Sequence, residues 1–202
     1  MTAPDTSAGC HDPFDFSAAM RRLCDDVVQR LPAFHHVRME QLVITFAQTR
    51  RRVAHGLQAK LTPLRFQQGQ MTTRRQGRDW TIQRLFNGDQ EMLYILTFYL
   101  PRFQDQSFRE KLITVVHELY HIGPKFDGDI RRLRGHYHVH SHSQKEYDHQ
   151  MGLLVDEYLG SGPAGELLGF LRMNYRALMR RHGGVVGLRV PIPKLIPLPK
   201  SA

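Results

Sequence analysis

Residues 107–124 read SFREKLITVVHELYHIGP, and the folding of this stretch decides how the rest of the chain is read. Ser107 and Glu110 stand at capping-box spacing, so a helix can start there. Gly123-Pro124 closes it. Between these borders Phe108, Leu112, Val115, Val116 and Leu119 form an apolar stripe that would pin the helix to a core. His117 and His121 align with Ile113 and flank that stripe. Side chains four residues apart on a helix sit one above the other. His117-Glu118-Leu119-Tyr120-His121 is therefore an HExxH: two imidazoles able to grip one metal ion, with a carboxylate beside them to take a proton from water. With 12 His in 202 residues the motif alone carries limited weight. The helix borders and the placed glutamate lift it above a pair of half-buried structural histidines.

Working outward, the pattern predicts a sheet laid down before this helix. Phe16, Met20, Leu23, Val27, Val28 and Leu31 recur at helical spacing. Leu42 to Thr49 alternates, with Leu42, Ile44 and Phe46 on one side, and reads as a strand. Leu61-Thr62-Pro63-Leu64 cannot be a helix interior. Trp80 to Phe86 alternates again, Asn87-Gly88-Asp89 is a hairpin signal, and Glu91 to Leu100 is the expected partner strand, stopped by Pro101. Beyond the motif, Gln144 to Leu159 and Glu166 to Arg181 read as helices, and Gly183-Gly184 opens a Pro-punctuated tail able to pair along an edge or wrap the surface. The fold class expected is α+β and zincin-like: a small antiparallel or mixed sheet on the HExxH helix, with further C-terminal helices. Residues 1–13 are expected to be a disordered tail, 14–182 the domain, and 183–202 an extended tail.

Composition narrows the setting. Hydrophobic residues at 41% and charged ones at 23% suit a globular chain with a core. The longest apolar stretch, Met92 to Leu100, is too short for a membrane span, so no membrane is expected. The N-terminus lacks the regions of a signal peptide, which makes the cytoplasm the expected compartment. Cys10 and Cys24 give neither a disulfide framework nor a CxxC pair. A net charge of +9 permits a polyanionic partner. Its clusters, at Arg50–Arg52, Arg74-Arg75-Arg78, Arg131-Arg132-Arg134 and Arg180-Arg181, are scattered, and no aromatic-interleaved basic motif stands out. DNA is the secondary partner expected of such a surface.

A catalytic zinc site takes three protein ligands and leaves one position open. The metzincin spacing places a ligand ten residues after His117, at Asp127, although Gly123 falls one residue early and Pro124 intervenes. Further on, Gly135-His136-Tyr137-His138-Val139-His140-Ser141-His142 offers four histidines that would share one face if extended.

The segment EKLITVVHELYHIGPKFDGDIRR, with LTPLRF at 61–66, EMLYILTFYLPRF at 91–103 and SQKEYD at 143–148, resembles the phage metallopeptidase family, HExxH proteins of phages and prophage-bearing bacteria. The likeness runs from Phe14 to the Pro-rich tail. That family is distantly similar to SprT-like and Spartan proteases, whose third ligand is a histidine in the loop beyond the helix. The resemblance implies His140 as that ligand, since the family's pattern has one His shortly before the segment that SQKEYD matches. This chain also carries His136, His138 and His142, with His136 and Asp127 the alternatives.

The function expected is a zinc-dependent peptidase with one Zn²⁺ per chain, held by His117, His121 and His140. Glu118 is the catalytic base assisting attack of metal-activated water on a peptide bond. Tyr137 is a candidate oxyanion donor, beside His142 and Tyr147. Asp127, Asp129 and Asp148 are candidates to orient the ligand imidazoles. Two other classes compete: a nucleic-acid-associated protein with a structural metal, including a protease acting on DNA-bound proteins, and a metal-free interaction protein.

Overall fold

The structure, a computed structural model, describes residues 12–48, 56–132 and 144–199, with side chains from 149 onward in the last stretch. In chain order the strands and α-helices are β1 (Phe14–Asp15), α1 (Phe16–Arg30), β2 (Leu42–Gln48), β3 (Ala59–Pro63), β4 (Thr72–Arg75), β5 (Arg78–Ile82), β6 (Phe86–Asn87), β7 (Gln90–Glu91) and β8 (Tyr94–Leu100). Then follow α2 (Phe108–Tyr120), α3 (Gln144–Gly160), α4 (Gly165–Leu168), α5 (Tyr175–His182), β9 (Val185–Val186) and β10 (Leu195–Pro197). The result is a mixed α+β fold with small sheets.

The organising unit is the sheet β2–β8–β3, with β8 in the middle, parallel to β2 and antiparallel to β3. The sequence YILTFYL is apolar on both faces, which suits a central strand. Tyr94, Leu96, Phe98 and Leu100 point to one side with Leu42, Ile44, Phe46, Ala59 and Leu61. There they pack with Phe16, Met20, Leu23 and Val27 of α1 and with Leu112, Val115, Val116 and Leu119 of α2. Val43 and Ile95 point the other way and join Leu64 and Met92 in a smaller core, which Val190 of the C-terminal tail helps cover. The capping of α1 is local: the Asp15 carboxylate accepts from the Ala18 N–H at 2.9 Å.

β3 is an edge strand. Tyr99 N–H donates to Gln58 O and Leu64 N–H to Leu93 O, so the even-numbered residues between them face β8 and Ala59, Leu61 and Pro63 turn their backbone groups outward. Proline is tolerated at 63 because an outward position loses no ladder bond.

Two sequence expectations need correction. Asn87-Gly88 does turn a hairpin, but its ladder is only Phe86↔Glu91 and Asn87↔Gln90. Beyond Phe86↔Glu91 and the Met92 N–H to Leu85 O bond, Glu91–Leu100 does not pair with Trp80–Phe86. β8 takes β2 and β3 instead, and β5 lies between β4 and β10 in a separate sheet. A strand apolar on both faces is stabilised far more by two long buried partners than by one half-polar hairpin arm. The second correction concerns Glu166 to Arg181, which is not one helix. It breaks after α4 and a 3₁₀ turn at Gly169–Arg172. Asn174 then caps α5, its side chain accepting from Ala177 N–H at 2.8 Å. The carbonyls freed at the break are used: Gln104 Nε2 donates to Phe170 O and Met173 O, and buried Lys111 Nζ to Leu171 O and Met173 O.

The tail is extended and paired at both ends. β9 lies parallel to β1, and β10 antiparallel to β5. Gly183, in the left-handed region at φ 66°, ends α5 as its position after the last turn requires. Among the described residues no helix is long and apolar enough to cross a membrane.

Candidate metal centre

Everything at this site is held by α2. Its start is the capping box expected of Ser107 and Glu110: the Ser107 hydroxyl accepts from Glu110 N–H at 3.3 Å, and the Glu110 carboxylate from Ser107 N–H at 2.8 Å. Leu112, Val115, Val116 and Leu119 are fully buried, so rotation about the helix axis is fixed by the core. Arg109 ties the first turn to α3, donating to the Asp156 carboxylate and to Gly152 O.

The other end is clamped by backbone. His121 caps the helix with its N–H on His117 O. The chain turns back on itself: Ile122 bridges Ile130, Gly123 N–H donates to Asp129 O at 3.2 Å, and Arg131 N–H to His121 O at 2.7 Å. A side chain at Gly123 would meet Asp129 O at 2.9 Å, so the close return needs glycine there. The Asp129 carboxylate fastens the loop by accepting from Gln68 N–H, Ile130 N–H and the Arg132 guanidinium.

On this frame the two motif histidines converge. The Nε2 atoms of His117 and His121 lie 2.9 Å apart, with ring planes crossing at 79° and centroids 4.6 Å apart. Two nitrogens bound to one tetrahedral zinc would stand about 3.3 Å apart, from bonds of about 2.0 Å each. A few tenths of an ångström of side-chain rotation separates the two arrangements. As they stand, one Nε2 donates to the other. The donor set therefore fits a metal that prefers imidazole.

Glu118, between them in sequence, points into the protein and is 8% exposed. Its Oε2 accepts from the outward-facing N–H of Leu61 on β3 at 2.7 Å. Burial pushes the carboxyl up to about 7, against the Leu61 hydrogen bond and the nearby Lys60 charge, both of which pull it down. A carboxyl poised there exchanges protons readily at neutral pH.

The other sequence candidates are placed less closely. Among the described residues no group of three His, Cys, Asp or Glu side chains could hold a metal, so Asp127 does not join His117 and His121 there. Its carboxylate instead accepts from Asp129 N–H at 3.1 Å, bracing the loop. Asp129 is committed to that loop as well. His136, Tyr137, His138, His140 and His142 lie outside the described residues, as do Arg50–Arg52, Arg134 and most of the 1–13 tail; the side chains of Tyr147 and Asp148 do too. The chain enters the 133–143 segment directly from Arg131-Arg132, against the carbonyl of His121.

Sequence reasoning missed two residues. Leu61 holds the glutamate by its backbone, and the only signal was Pro63 marking an edge strand. His36 lies near the backbone of Ile122, one residue past His121, and burial lowers its pKa against the pull of that backbone. Nothing in its own neighbourhood in sequence signals this.

An α+β fold whose core helix brings two imidazoles together, with a buried carboxyl between them in sequence, defines a candidate metallohydrolase. The family model described as "Putative phage metallopeptidase" matches residues 16–150, and the chain belongs to that family. The match spans α1, the central sheet, α2 and the start of α3. No curated protein and no solved structure matches the chain significantly, and the expected likeness to SprT-like and Spartan proteases is not shown.

Proposed function

We propose that this protein is a zinc-dependent peptidase, with His117, His121 and His140 holding the metal and Glu118 acting as general base. The observation that carries the reading is the convergence of the two Nε2 atoms at 2.9 Å beside a buried carboxyl poised at about 7. A zinc ion held there would polarise a peptide carbonyl and make water acidic near neutrality. Glu118 takes the proton from the attacking water and hands it to the leaving amine. Leu61 N–H keeps the carboxylate pointed while it waits. Tyr137 is the residue proposed to face the developing oxyanion. An extended polypeptide can align with the outward backbone groups of β3, whose edge lies against Glu118.

The test is metal analysis of the purified protein beside His117→Ala, His121→Ala and His140→Ala, followed by a peptidase assay. One zinc per chain is expected, lost in the first two variants and weakened in the third. Glu118→Ala should keep the metal and lose activity by about 10²–10⁴-fold. Full retention of zinc in His140→Ala would move the third ligand to His136. A chain that takes up no zinc even after supplementation would overturn the proposal.

A further inference from the structure

The β4–β5 hairpin carries charge that has no acidic partner among the described residues, although Arg78 Nε donates to Leu198 O at 3.4 Å. Its register sets Arg75 opposite Arg78 and Thr73 opposite Trp80, so these four share one face. The turn between the two arginines, Gln76-Gly77, has positive φ at both residues (50° and 72°), the tight form that holds its flanking residues in register. Like charges placed directly across a ladder destabilise it. Elsewhere the protein pairs such charges: Arg65 and Arg84 both reach Glu91 at 2.7 Å. Among the described residues no acidic side chain forms an ion pair with Arg74, Arg75 or Arg78, and all three are exposed.

Aromatic rings are interleaved with these charges. The Arg78 guanidinium stands 5.9 Å from the Trp80 ring centre and that of Arg75 stands 6.0 Å from Phe66, both rings being partly exposed. Cross-strand register assembles what the linear sequence keeps apart, an aromatic-interleaved basic surface. Guanidinium groups suit phosphates, and flat rings beside them suit unpaired bases. A duplex hides its base faces, an acidic peptide has none, and the hairpin tip offers no apolar wedge for a membrane. We propose that this face binds an unpaired nucleic-acid strand, with phosphates at Arg75 and Arg78 and bases stacked on Trp80 and Phe66. The proposal stands apart from the peptidase reading.

Trp80 is the one tryptophan of the chain, so its emission reports the site directly. The intact protein is titrated with a 12-nucleotide oligo(dT) at low salt, following Trp80 fluorescence and, separately, anisotropy of a labelled strand. Saturable quenching is expected. Arg75→Ser/Arg78→Ser should weaken binding at least tenfold and flatten the log K against log salt slope by about 1.4, for two lost phosphate contacts. Circular dichroism checks that the variant folds. Arg180→Ser/Arg181→Ser, which removes equal charge from α5, should bind as the parent does. Oligo(U) should bind comparably, since no group here reads a 2′-hydroxyl. The idea is overturned by an unquenched Trp80 at saturation, by equal loss in both arginine pairs, or by tighter binding of a duplex or of polyglutamate than of oligo(dT).

Discussion

The two three-stranded sheets of this molecule are built on opposite terms. In β2–β8–β3 most side chains are buried, and the sheet backs a helix whose apolar stripe packs into the same core. In β4–β5–β10 most side chains are exposed or half-exposed, and the ladder is held by backbone pairing with the Pro-rich tail and by side-chain bonds such as Thr81 Oγ1 to Met71 O. The first sheet is explained by folding alone. The second keeps arginines with no acidic partner among the described residues, Arg78 reaching only the Leu198 carbonyl. Where charge survives without a counter-charge, contact with something else is the physical reason to look for.

Mutations can break or sharpen this contrast. Phe98→Ala empties the centre of the first sheet and should cost about 3–5 kcal/mol, read as a shifted denaturation midpoint. Glu118→Gln tests the same region from the other side. With its folded pKa raised from 4.5 to about 7, Glu118 favours the folded state fully below pH 4.5, and that advantage is lost as pH rises to about 7. In chelated protein at pH 8 the glutamine variant should therefore be more stable than the parent, by up to about 3 kcal/mol. Equal stability at pH 8 would show that the carboxyl is not strained by burial. Glu91→Gln probes the root between the sheets. There the Arg84 and Arg65 hydrogen bonds hold Glu91 down at about 2, so its stabilisation is present above 4.5 and is lost as pH falls from 4.5 to about 2. Since Arg84 is half exposed, the variant should cost only about 1–2 kcal/mol at pH 7 and show a shallower acid limb. Smallest of all, Arg74→Ser in the second sheet should change stability by no more than about 0.5 kcal/mol. A larger loss would mean that the hairpin charges are structural after all.

How much of this was legible depended on how far apart the partners lie. The borders of α2 were readable because Ser107, Glu110 and Gly123 act within a turn of the helix they bound. The same holds for His117 and His121, whose spacing is the motif. The strand β8 was readable as apolar and central, yet its partners were not, because Asn87-Gly88 sends a strong local signal while β2 and β3 lie far off in sequence. The break near Asn174 was hidden for a related reason. Its carbonyls are received by Gln104 and Lys111, some sixty residues away. Leu61, which holds Glu118, acts through its backbone, and no side-chain pattern encodes that.

The clamp between Arg131 N–H and His121 O has a consequence for the motion of the histidine pair. It uses the C-cap carbonyl of α2, so the final turn cannot fray without also breaking bonds to the returning chain at Gly123 and Arg131. Opening that parts the two imidazoles is thereby coupled to opening of the loop, and hydrogen exchange should find the amides of His121, Gly123 and Arg131 exposed together.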